Sequence, residues 1–367
     1  MKSPTIKLLY IVVWSVSGKL NDQNPITSDV YSQSKVRVMQ DGHQDPIPSD
    51  VFNQSKVYVM QDGRHLPEYH GYERPCPDAE HIAPCVCTYD SVYNAMDLNC
   101  SAVESEEQLK QIFKADFPFK NFNHFDINLN NNIKVLEVGV FNGISFEIIH
   151  MSSNNLSVIE SQAFNSCYET ATEINLWENM ITSFPFDDVS LFPKLSYFRL
   201  SINWFQSMIP ADAFHGLTAL EHLDLCCNFG DIVGTFQDLP SLQSIYLSYN
   251  SLTTIPAHFI KTGSSDLSYI ILDHNDIVSV EPGAFDIVYG LAITMGYNSL
   301  STLDEATWRP YLEVGGVLLA EANPLVCGCD IAWLYGEDQL LLQIGNDATC
   351  SDGENLRDLD PKIFDLC

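Results

Sequence analysis

Basic residues are scarce in this sequence. Its 18 Lys and Arg face 48 Asp and Glu, which gives a formal net charge of −30 at pH 7. Between residues 135 and 300 the only basic side chains besides His are Lys194, Arg199 and Lys261. Such a surface repels phosphate backbones and anionic lipid, because like charges oppose the approach of either. The composition therefore argues against a nucleic-acid-binding function and against attachment to an anionic membrane.

Long apolar runs and catalytic signatures are also missing. After the N-terminal segment, no stretch reaches the ~20 apolar residues that a membrane-spanning helix needs. There is no G-x-S-x-G elbow, H-E-x-x-H helix, glycine-rich phosphate loop or dinucleotide-binding fingerprint. His222, Asp224 and Cys226 share a strand face, but the first and last lie ~13 Å apart, too far to converge on one metal. We expect no catalytic residue, cofactor, metal site or membrane insertion.

Residues 1–18 have the pattern of a secretory signal peptide. Lys2 and Lys7 precede the apolar run from Leu8 to Val16, and small residues follow. The 11 cysteines point in the same direction, because disulfides persist in oxidising compartments. We expect a secreted, extracellular protein. Its N-glycosylation sequons are at Asn53, Asn99 and Asn155.

A duplicated segment lies within residues 19–75. Residues 25–45 match residues 46–66 at 14 of 21 positions. The composition is polar with several prolines, which favours a disordered leader. The alternative is an arm that tethers or binds a partner.

The stretch Leu220–Asn228, LEHLDLCCN, reads L-x-x-L-x-L-x-x-N, the core of a leucine-rich repeat. Nine asparagines recur at spacings of 22 to 25 residues, at Asn130, Asn154, Asn179, Asn203, Asn228, Asn250, Asn275, Asn298 and Asn323. The positions five and three residues before each one are apolar in every coil. A single coil cannot bury its own apolar edge, so the coils must stack.

The repeats therefore predict the fold class. It is an α/β repeat solenoid, a leucine-rich-repeat horseshoe with a parallel concave β-sheet in residues 116–322. We expect an irregular convex side with short helices, filled by recurring Ala-Phe pairs at Ala163, Ala213 and Ala284. Disulfide caps should close both ends of the solenoid.

Eight cysteines flank the repeats. In residues 76–115 they are Cys76, Cys85, Cys87 and Cys100, and in residues 323–367 they are Cys327, Cys329, Cys350 and Cys367. The second group begins in NPLVCGCDIAWL and resembles the C-terminal cap of extracellular leucine-rich-repeat proteins, while the first group resembles their N-terminal cap. The resemblance implies the pairs Cys76 with Cys87, Cys85 with Cys100, Cys327 with Cys350, and Cys329 with Cys367. Zinc is the alternative for the first group, which a secreted chain disfavours.

Three cysteines remain, Cys167, Cys226 and Cys227. Cys167 lies two coils away from the other two, and coils stack at ~4.8 Å, so a bridge exceeds the ~7 Å limit between Cα atoms. At least one thiol should be free. We expect an unpaired thiol at Cys226 on the polar strand face, with a vicinal redox pair as the alternative.

The outward strand positions and the adjoining turns form a surface that we call the sheet face. It is rich in aromatic residues with isolated charges, the composition of protein-binding hot spots. The competing interpretation is that strand propensity alone favours tyrosine. The residues that we expect to bind a partner are Trp177, Tyr197, Arg199, His222, Asp224, Tyr246, Tyr249, Tyr269, Asp273, His274 and Tyr297.

Three segments carry a closer resemblance, CPDAEHIAPCVCTYDSVYNAMDLNCSAVESEEQL (76–109), IFKADFPFKNFNHFDI (112–127) and VLEVGVFNGISFEII (135–149). They resemble crustacean chains of the Oplophorus-luciferin 2-monooxygenase non-catalytic subunit family, a likeness that covers residues 76–367 and not the leader. In that family the repeat chain accompanies a small catalytic subunit that oxidises an imidazopyrazinone luciferin. The resemblance implies a secreted, non-catalytic scaffold that stabilises a catalytic partner. The alternative is an extracellular recognition protein of innate-immune or matrix type.

Overall fold

The computed structural model describes residues 76–205, 209–228, 236–336, 340–365 and 367. These residues fall within one compact unit, Tyr69–Cys367. The expected signal peptide, the duplicated leader and Asn53 lie outside the described residues.

An 11-stranded sheet runs through the repeats in the order β1-β2-β3-β5-β7-β8-β9-β11-β14-β16-β17. The β1–β2 pair is antiparallel, and the other described pairs are parallel. Its strands are β1 (Val86–Asp90), β2 (Ala95–Asn99), β3 (Asn121–Asp126), β5 (Ser145–His150), β7 (Glu173–Asn175), β8 (Tyr197–Arg199), β9 (His222–Asp224), β11 (Ser244–Tyr246), β14 (Tyr269–Ile271), β16 (Ala292–Thr294) and β17 (Val317–Leu319).

The segments that return the chain from one strand of the sheet to the next contain little helix. Three small parallel sheets pair β4 (Val135–Leu136) with β6 (Val158–Ile159), β10 (Phe236–Gln237) with β13 (Ile260–Lys261), and β12 (Thr254–Ile255) with β15 (Ser279–Val280). The helices are α1 (Ala79–Ile82), α2 (Glu106–Ile112) and α3 (Glu305–Glu313), with 3₁₀ turns at Phe186–Leu191, Cys329–Tyr335, Leu340–Gln343, Leu356–Asp358 and Pro361–Phe364. The expectation of an irregular side with short helices is confirmed. In the part of the chain that the structure describes, no helix has both the length and the apolar character to cross a membrane.

The apolar residues five and three positions before each repeat asparagine, which we call the apolar ladder, form the core. They lie between the sheet and the segments that return the chain from one strand to the next. The 18 members of the ladder are all 1% exposed or less. Each of the larger side chains, which are all but Ala320, contributes about 1.5–3 kcal/mol on burial. The ladder consists of Phe125, Ile127, Ile149, Met151, Ile174, Leu176, Phe198, Leu200, Leu223, Leu225, Ile245, Leu247, Ile270, Leu272, Ile293, Met295, Leu318 and Ala320. The Ala-Phe pairs pack behind it, where Phe214 stacks on Phe236 with 5.8 Å between ring centroids.

The nine repeat asparagines, which we call the ladder asparagines, are all 7% exposed or less. Asn250 shows the pattern of the seven from Asn179 to Asn323, in which the amide nitrogen donates to carbonyls of the preceding coil and of its own coil. Its amide nitrogen donates to Leu225 O of the preceding coil and Leu247 O of its own coil, at 3.1 and 3.0 Å, and its amide oxygen accepts from Asn228 N at 3.1 Å. The side chain therefore satisfies backbone groups in two adjacent coils at the place where the strands end.

The residue before each ladder asparagine has a left-handed backbone. The nine φ values lie between 51° and 63°, at Leu129, Ser153, Glu178, Ile202, Cys227, Tyr249, His274, Tyr297 and Ala322. This region costs a non-glycine residue about 1–3 kcal/mol, so it persists only where surrounding contacts enforce it. Here the parallel hydrogen bonds continue through the turn, as from Tyr249 N to Asp273 O at 3.1 Å.

Both ends of the solenoid carry disulfides with the connectivity that the cap resemblance implies. Cys76 joins Cys87, Cys85 joins Cys100, Cys327 joins Cys350, and Cys329 joins Cys367. At the C-terminal end, Leu334 is 1% exposed and the Trp333 indole Nε1–H donates to Leu303 O at 3.1 Å. The 3₁₀ turn Cys329–Tyr335 thus packs against the last coils.

One expectation about the remaining cysteines is wrong. Cys226 is not an unpaired thiol, because the structure joins it to Cys227. The two Cα atoms are already 3.8 Å apart as chain neighbours, and the left-handed turn at Cys227 lies at the end of the same strand. Cys167 is free and 0% exposed, and burial raises its pKa to about 11.

We predict that Asn250→Ala lowers the free energy of unfolding by about 2–3 kcal/mol, because it leaves Asn228 N and the neighbouring carbonyls without their partner. Urea unfolding followed by circular dichroism measures the change. The matched control is Asn131→Ala, at an exposed asparagine outside the ladder, which should shift stability by less than about 0.5 kcal/mol. Equal effects from both variants would contradict the structural role of the ladder.

Thiol titration tests the cysteine assignment. The native chain should show no reactive thiol, because Cys167 is buried and its thiolate is disfavoured. In guanidinium without reductant, Ellman's reagent should find one thiol per chain. Three thiols would mean that Cys226 and Cys227 are reduced.

Candidate binding surface

The structure places the predicted partner-binding residues on the sheet face in two rows. Trp177, Asp273 and six residues of strands β8, β9, β11 and β14 lie on or directly after the strands. The other three, Tyr249, His274 and Tyr297, occupy the left-handed turn position. The core takes the apolar side of every strand, so the outward side chains form a continuous surface on a rigid support.

The N-terminal half of the sheet face contains histidine–carboxylate pairs that the sequence analysis missed. His124 Nδ1 lies 2.7 Å from Asp97 Oδ1. His150 lies between two carboxylates on neighbouring strands, 3.6 Å from Asp126 and 2.8 Å from Glu173. Part of the signal was present in the sequence, because Asp97 with His124 and Asp126 with His150 occupy paired positions of adjacent strands, whereas Glu173 pairs with Ile148 and reaches His150 diagonally.

The two carboxylates change the titration of His150. Asp126, and second Glu173, raise the pKa of His150 to about 9, although the contact with Glu173 is the shorter one. His150 is therefore charged at neutral pH. Its charge offsets part of the charge of Asp126 and Glu173.

Two predicted residues at the centre pair with each other. Arg199 Nε donates to Asp224 at 2.9 Å, Ser201 Oγ donates to the same carboxylate oxygen at 2.7 Å, and the guanidinium lies 5.1 Å from the Trp177 ring centroid. The two charged side chains are 12% and 15% exposed. Burial raises the pKa of Asp224, and the Arg199 charge opposes that shift. Their main role is to hold the middle of the surface together.

His222 is also engaged by its neighbours. Its Nδ1 lies 2.7 Å from Ser244 Oγ, and its ring centroid is 5.8 Å from that of Tyr197. Burial lowers the pKa of His222, which favours the neutral imidazole. Among the described residues, no group of three His, Cys, Asp or Glu could hold a metal ion.

The turn row forms an aromatic stack. His274 lies between two tyrosines, with 4.2 Å to the Tyr249 centroid and 4.3 Å to the Tyr297 centroid. The interplanar angles are 9° and 8°. The same left-handed backbone recurs in each coil, so the side chains point in the same direction and stack at the coil spacing. Burial lowers the pKa of His274, which favours the neutral imidazole, and the Asp273 charge opposes that shift.

The C-terminal half of the sheet face is the more open half. Tyr297 is 50% exposed and Tyr269 is 43% exposed. Aromatic side chains on a rigid support bury large areas on binding and lose little conformational entropy. Such side chains are suited to non-covalent contacts.

We predict that His150 makes stability depend on pH. Its pKa is raised on folding, so its contribution is fully present below about pH 6.5 and is lost as the pH rises through about 9. Thermal unfolding between pH 6 and 10 should show a decline for the wild-type chain. In His150→Gln the decline should be shallower, with the two proteins converging above pH 9. A constant difference across this range would contradict the assignment.

Two family models match the chain. One is described as "Leucine rich repeat" and matches residues 193–252, and the other as "BspA type Leucine rich repeat region (6 copies)" and matches residues 91–201. Both matches fall on the coils of the parallel sheet. The repeat architecture is thus supported by sequence and structure.

Three curated relatives are informative. The Oplophorus-luciferin 2-monooxygenase non-catalytic subunit of Oplophorus gracilirostris is 33% identical over 314 residues, 79% of this chain and 87% of the relative. Lumican of Oryctolagus cuniculus is 30% identical over 196 residues, 52% of this chain and 97% of that sequence. Human lumican is 29% identical over 197 residues, 52% of this chain and 55% of its own length.

Solved structures share the fold. A chain of the octameric complex of Latrophilin 3, Unc5D and FLRT2 matches with a TM-score of 0.51 and 17% identity, over 78% of this chain and 99% of that chain. A chain of the TLR13–ssRNA13 complex matches with a TM-score of 0.51 and 25% identity, over 61% of this chain and 31% of that chain. This chain therefore spans about a third of the second.

The first relative matches over most of both chains, and it is named as a non-catalytic subunit. Its likeness agrees with the repeat models, the parallel sheet and the terminal disulfides. The chain is thus a non-catalytic leucine-rich-repeat protein, and it belongs to the Oplophorus-luciferin 2-monooxygenase non-catalytic subunit family.

Proposed function

We propose that this chain is a secreted scaffold that binds and stabilises another secreted protein through its sheet face. The observation that carries the proposal is the aromatic surface, built on a parallel sheet whose other side is the buried core. The partner is a small catalytic subunit. The scaffold contributes binding and the partner contributes the chemistry.

The rigidity of the surface supports this proposal. Each strand is held by its neighbours and by a ladder asparagine, so the aromatic side chains are already positioned before binding. Preorganisation raises affinity, because less side-chain and backbone entropy is lost on association. The exposed rings of Tyr269 and Tyr297 are suited to act as anchors.

The family supports the class of partner. The relative from Oplophorus gracilirostris is a non-catalytic subunit of a luciferin 2-monooxygenase. By this likeness, the partner of the present chain is the catalytic subunit of such a monooxygenase.

Secretion and glycosylation form part of the proposal. The disulfides at both ends favour an oxidising compartment. Within the described residues, the sequon asparagine Asn99 is exposed and Asn155 is partly exposed. We assign the signal peptide to residues 1–18 and glycans to Asn53, Asn99 and Asn155.

The likeness to lumican favours a second candidate function. Rabbit lumican matches at 30% identity, over 52% of this chain. Under this candidate, the same sheet face binds a matrix protein or a microbial glycan, and no catalytic subunit is involved.

A pull-down from the native secretion, with the captured proteins identified by mass spectrometry, separates the two candidates. The scaffold proposal expects one co-purifying protein with oxygenase activity on an imidazopyrazinone luciferin. Capture of matrix proteins or glycans alone would favour the second candidate. If the chain stays monomeric and captures nothing, the scaffold proposal is wrong.

We predict that Tyr269→Ala weakens capture of the partner by about 10- to 30-fold, because an exposed aromatic anchor is lost from the sheet face. Titration of the captured partner, followed by surface plasmon resonance, measures the change. The matched control is Tyr289→Ala, which removes a tyrosine that is 87% exposed and lies outside the sheet face. Equal loss in both variants, or no loss at Tyr269, would place the binding site elsewhere.

A further inference from the structure

The backbone conformation at Gly296 does not require a glycine. Gly296 follows β16 on the sheet face, and its φ lies outside the left-handed range that favours glycine. A Cβ built there would lie 2.8 Å from Glu321 Cγ and 3.1 Å from Asp273 Oδ1. The absence of a side chain therefore lets two carboxylates, one from each neighbouring coil, lie over the same position. We call Asp273, Gly296 and Glu321 the acidic notch.

The surroundings of Asp273 and Glu321 disfavour the charged forms of both carboxylates. Burial raises the pKa of Asp273, while hydrogen bonds from the Thr294 hydroxyl and from Gly296 N, the latter at 2.6 Å, lower it. Burial, and second the carboxylate of Asp347, raise the pKa of Glu321. Among the ion pairs between described residues, none includes one of these three carboxylates. Carboxylates held together without a cation cost stability, which is typical of functional sites.

The aromatic stack ends beside the notch. Tyr297 directly follows Gly296 in the chain, and it is the last ring of the stack. The equivalent position of the next coil is Ala322, whose methyl group covers little of a ring. An aromatic ring next to carboxylates is a favourable environment for a guanidinium or ammonium group.

The two halves of the sheet face differ in the charge that they leave unbalanced. In the other half and at the centre, the carboxylates of Asp126, Glu173 and Asp224 each lie beside a cation, which is His150 for the first two and Arg199 for the third. The C-terminal half differs, because Asp273 and Glu321 lie close together there and no ion pair between described residues includes either of them. A partner that is complementary to this half must therefore supply positive charge.

We propose that the C-terminal half of the sheet face docks a cationic protein segment, with an arginine or lysine side chain entering the acidic notch and lying against the Tyr297 ring. The proposal rests on the proposed scaffold function and names the chemistry of the partner. The side chain donates hydrogen bonds to both carboxylates. The rings of Tyr269 and the stack contact the apolar stem of the segment.

A small probe tests the notch without the partner. N-acetyl-arginine amide is titrated into the full chain, and the tyrosine ring signals are followed by NMR with isotopically labelled tyrosine. The reference ligand is N-acetyl-citrulline amide, which has the same shape but no charge. We expect saturable shifts of the Tyr297 signals with arginine and none with citrulline. Equal shifts with both ligands would overturn the proposal.

Variants separate the notch from the general acidity of the chain. Asp273→Asn combined with Glu321→Gln should weaken arginine binding at least about tenfold, the effect of losing one or more charge-assisted hydrogen bonds. The control pair Asp212→Asn and Glu169→Gln removes the same charge at two exposed positions outside the sheet face and should leave binding unchanged. Equal loss in both pairs overturns the proposal.

Two single variants guard against misfolding of the double variant. Glu321→Gln changes a side chain that makes no hydrogen bond to the backbone of the described residues, so the fold should persist. Gly296→Ala keeps every charge but displaces Glu321, and it should weaken arginine binding as well. Both should retain the circular dichroism spectrum of the wild type. If both variants bind N-acetyl-arginine amide as tightly as the wild type does, the proposal that the notch binds a cation is wrong.

Failure of the notch and failure of the scaffold function give different results. If the wild-type chain captures a partner from the secretion and the notch variants capture it equally well, the notch is wrong and the scaffold function stands. If the notch binds arginine as predicted but no partner is captured, the scaffold function is wrong and the cation-binding notch stands.

Discussion

The hydrogen bonds of the ladder asparagines are the interaction on which the rest of the structure depends. Where each strand ends, backbone groups of two adjacent coils turn towards the interior, and the buried amide satisfies both sets. This fixes the spacing and the register of successive coils. It also supports the left-handed residue that precedes every ladder asparagine. The apolar ladder supplies most of the driving force for stacking, but without the amides the core would contain unsatisfied carbonyls and N–H groups.

The aromatic stack is a direct consequence of this constraint. Tyr249, His274 and Tyr297 are far apart in sequence, and nothing local makes their rings parallel. They stack because each occupies the same backbone position of consecutive coils, and the ladder holds those positions at one spacing. A repeat fold thus converts a one-dimensional pattern into a ridge of rings. Such a ridge is preformed, which suits a surface that is used for binding.

The negative charge of the sheet face is distributed unevenly between its two halves. On the sheet face, His150 and Arg199 are held by carboxylates of neighbouring strands, so the carboxylates that contact them have a cation beside them. At the C-terminal half, Asp273 and Glu321 approach each other across a glycine with no described cation between them. This arrangement lowers stability, and natural proteins retain such arrangements mainly where a partner compensates for them. It is consistent with a scaffold whose surface is completed by a second protein.

The sequence by itself determined the repeat architecture. The spacing of the asparagines and the apolar positions before them sufficed to predict the parallel sheet and its core, because each coil can bury its apolar edge only against another coil. The closed ends were implied by the resemblance of the two cysteine groups to known caps. Tertiary structure decided what the outward residues do. The pairing of Arg199 with Asp224, of His150 with two carboxylates, and of Cys226 with Cys227 depends on atomic distances that residue spacing does not contain. Contacts between coils also decide which carboxylates of the sheet face are neutralised, because that depends on which side chains neighbouring coils bring together.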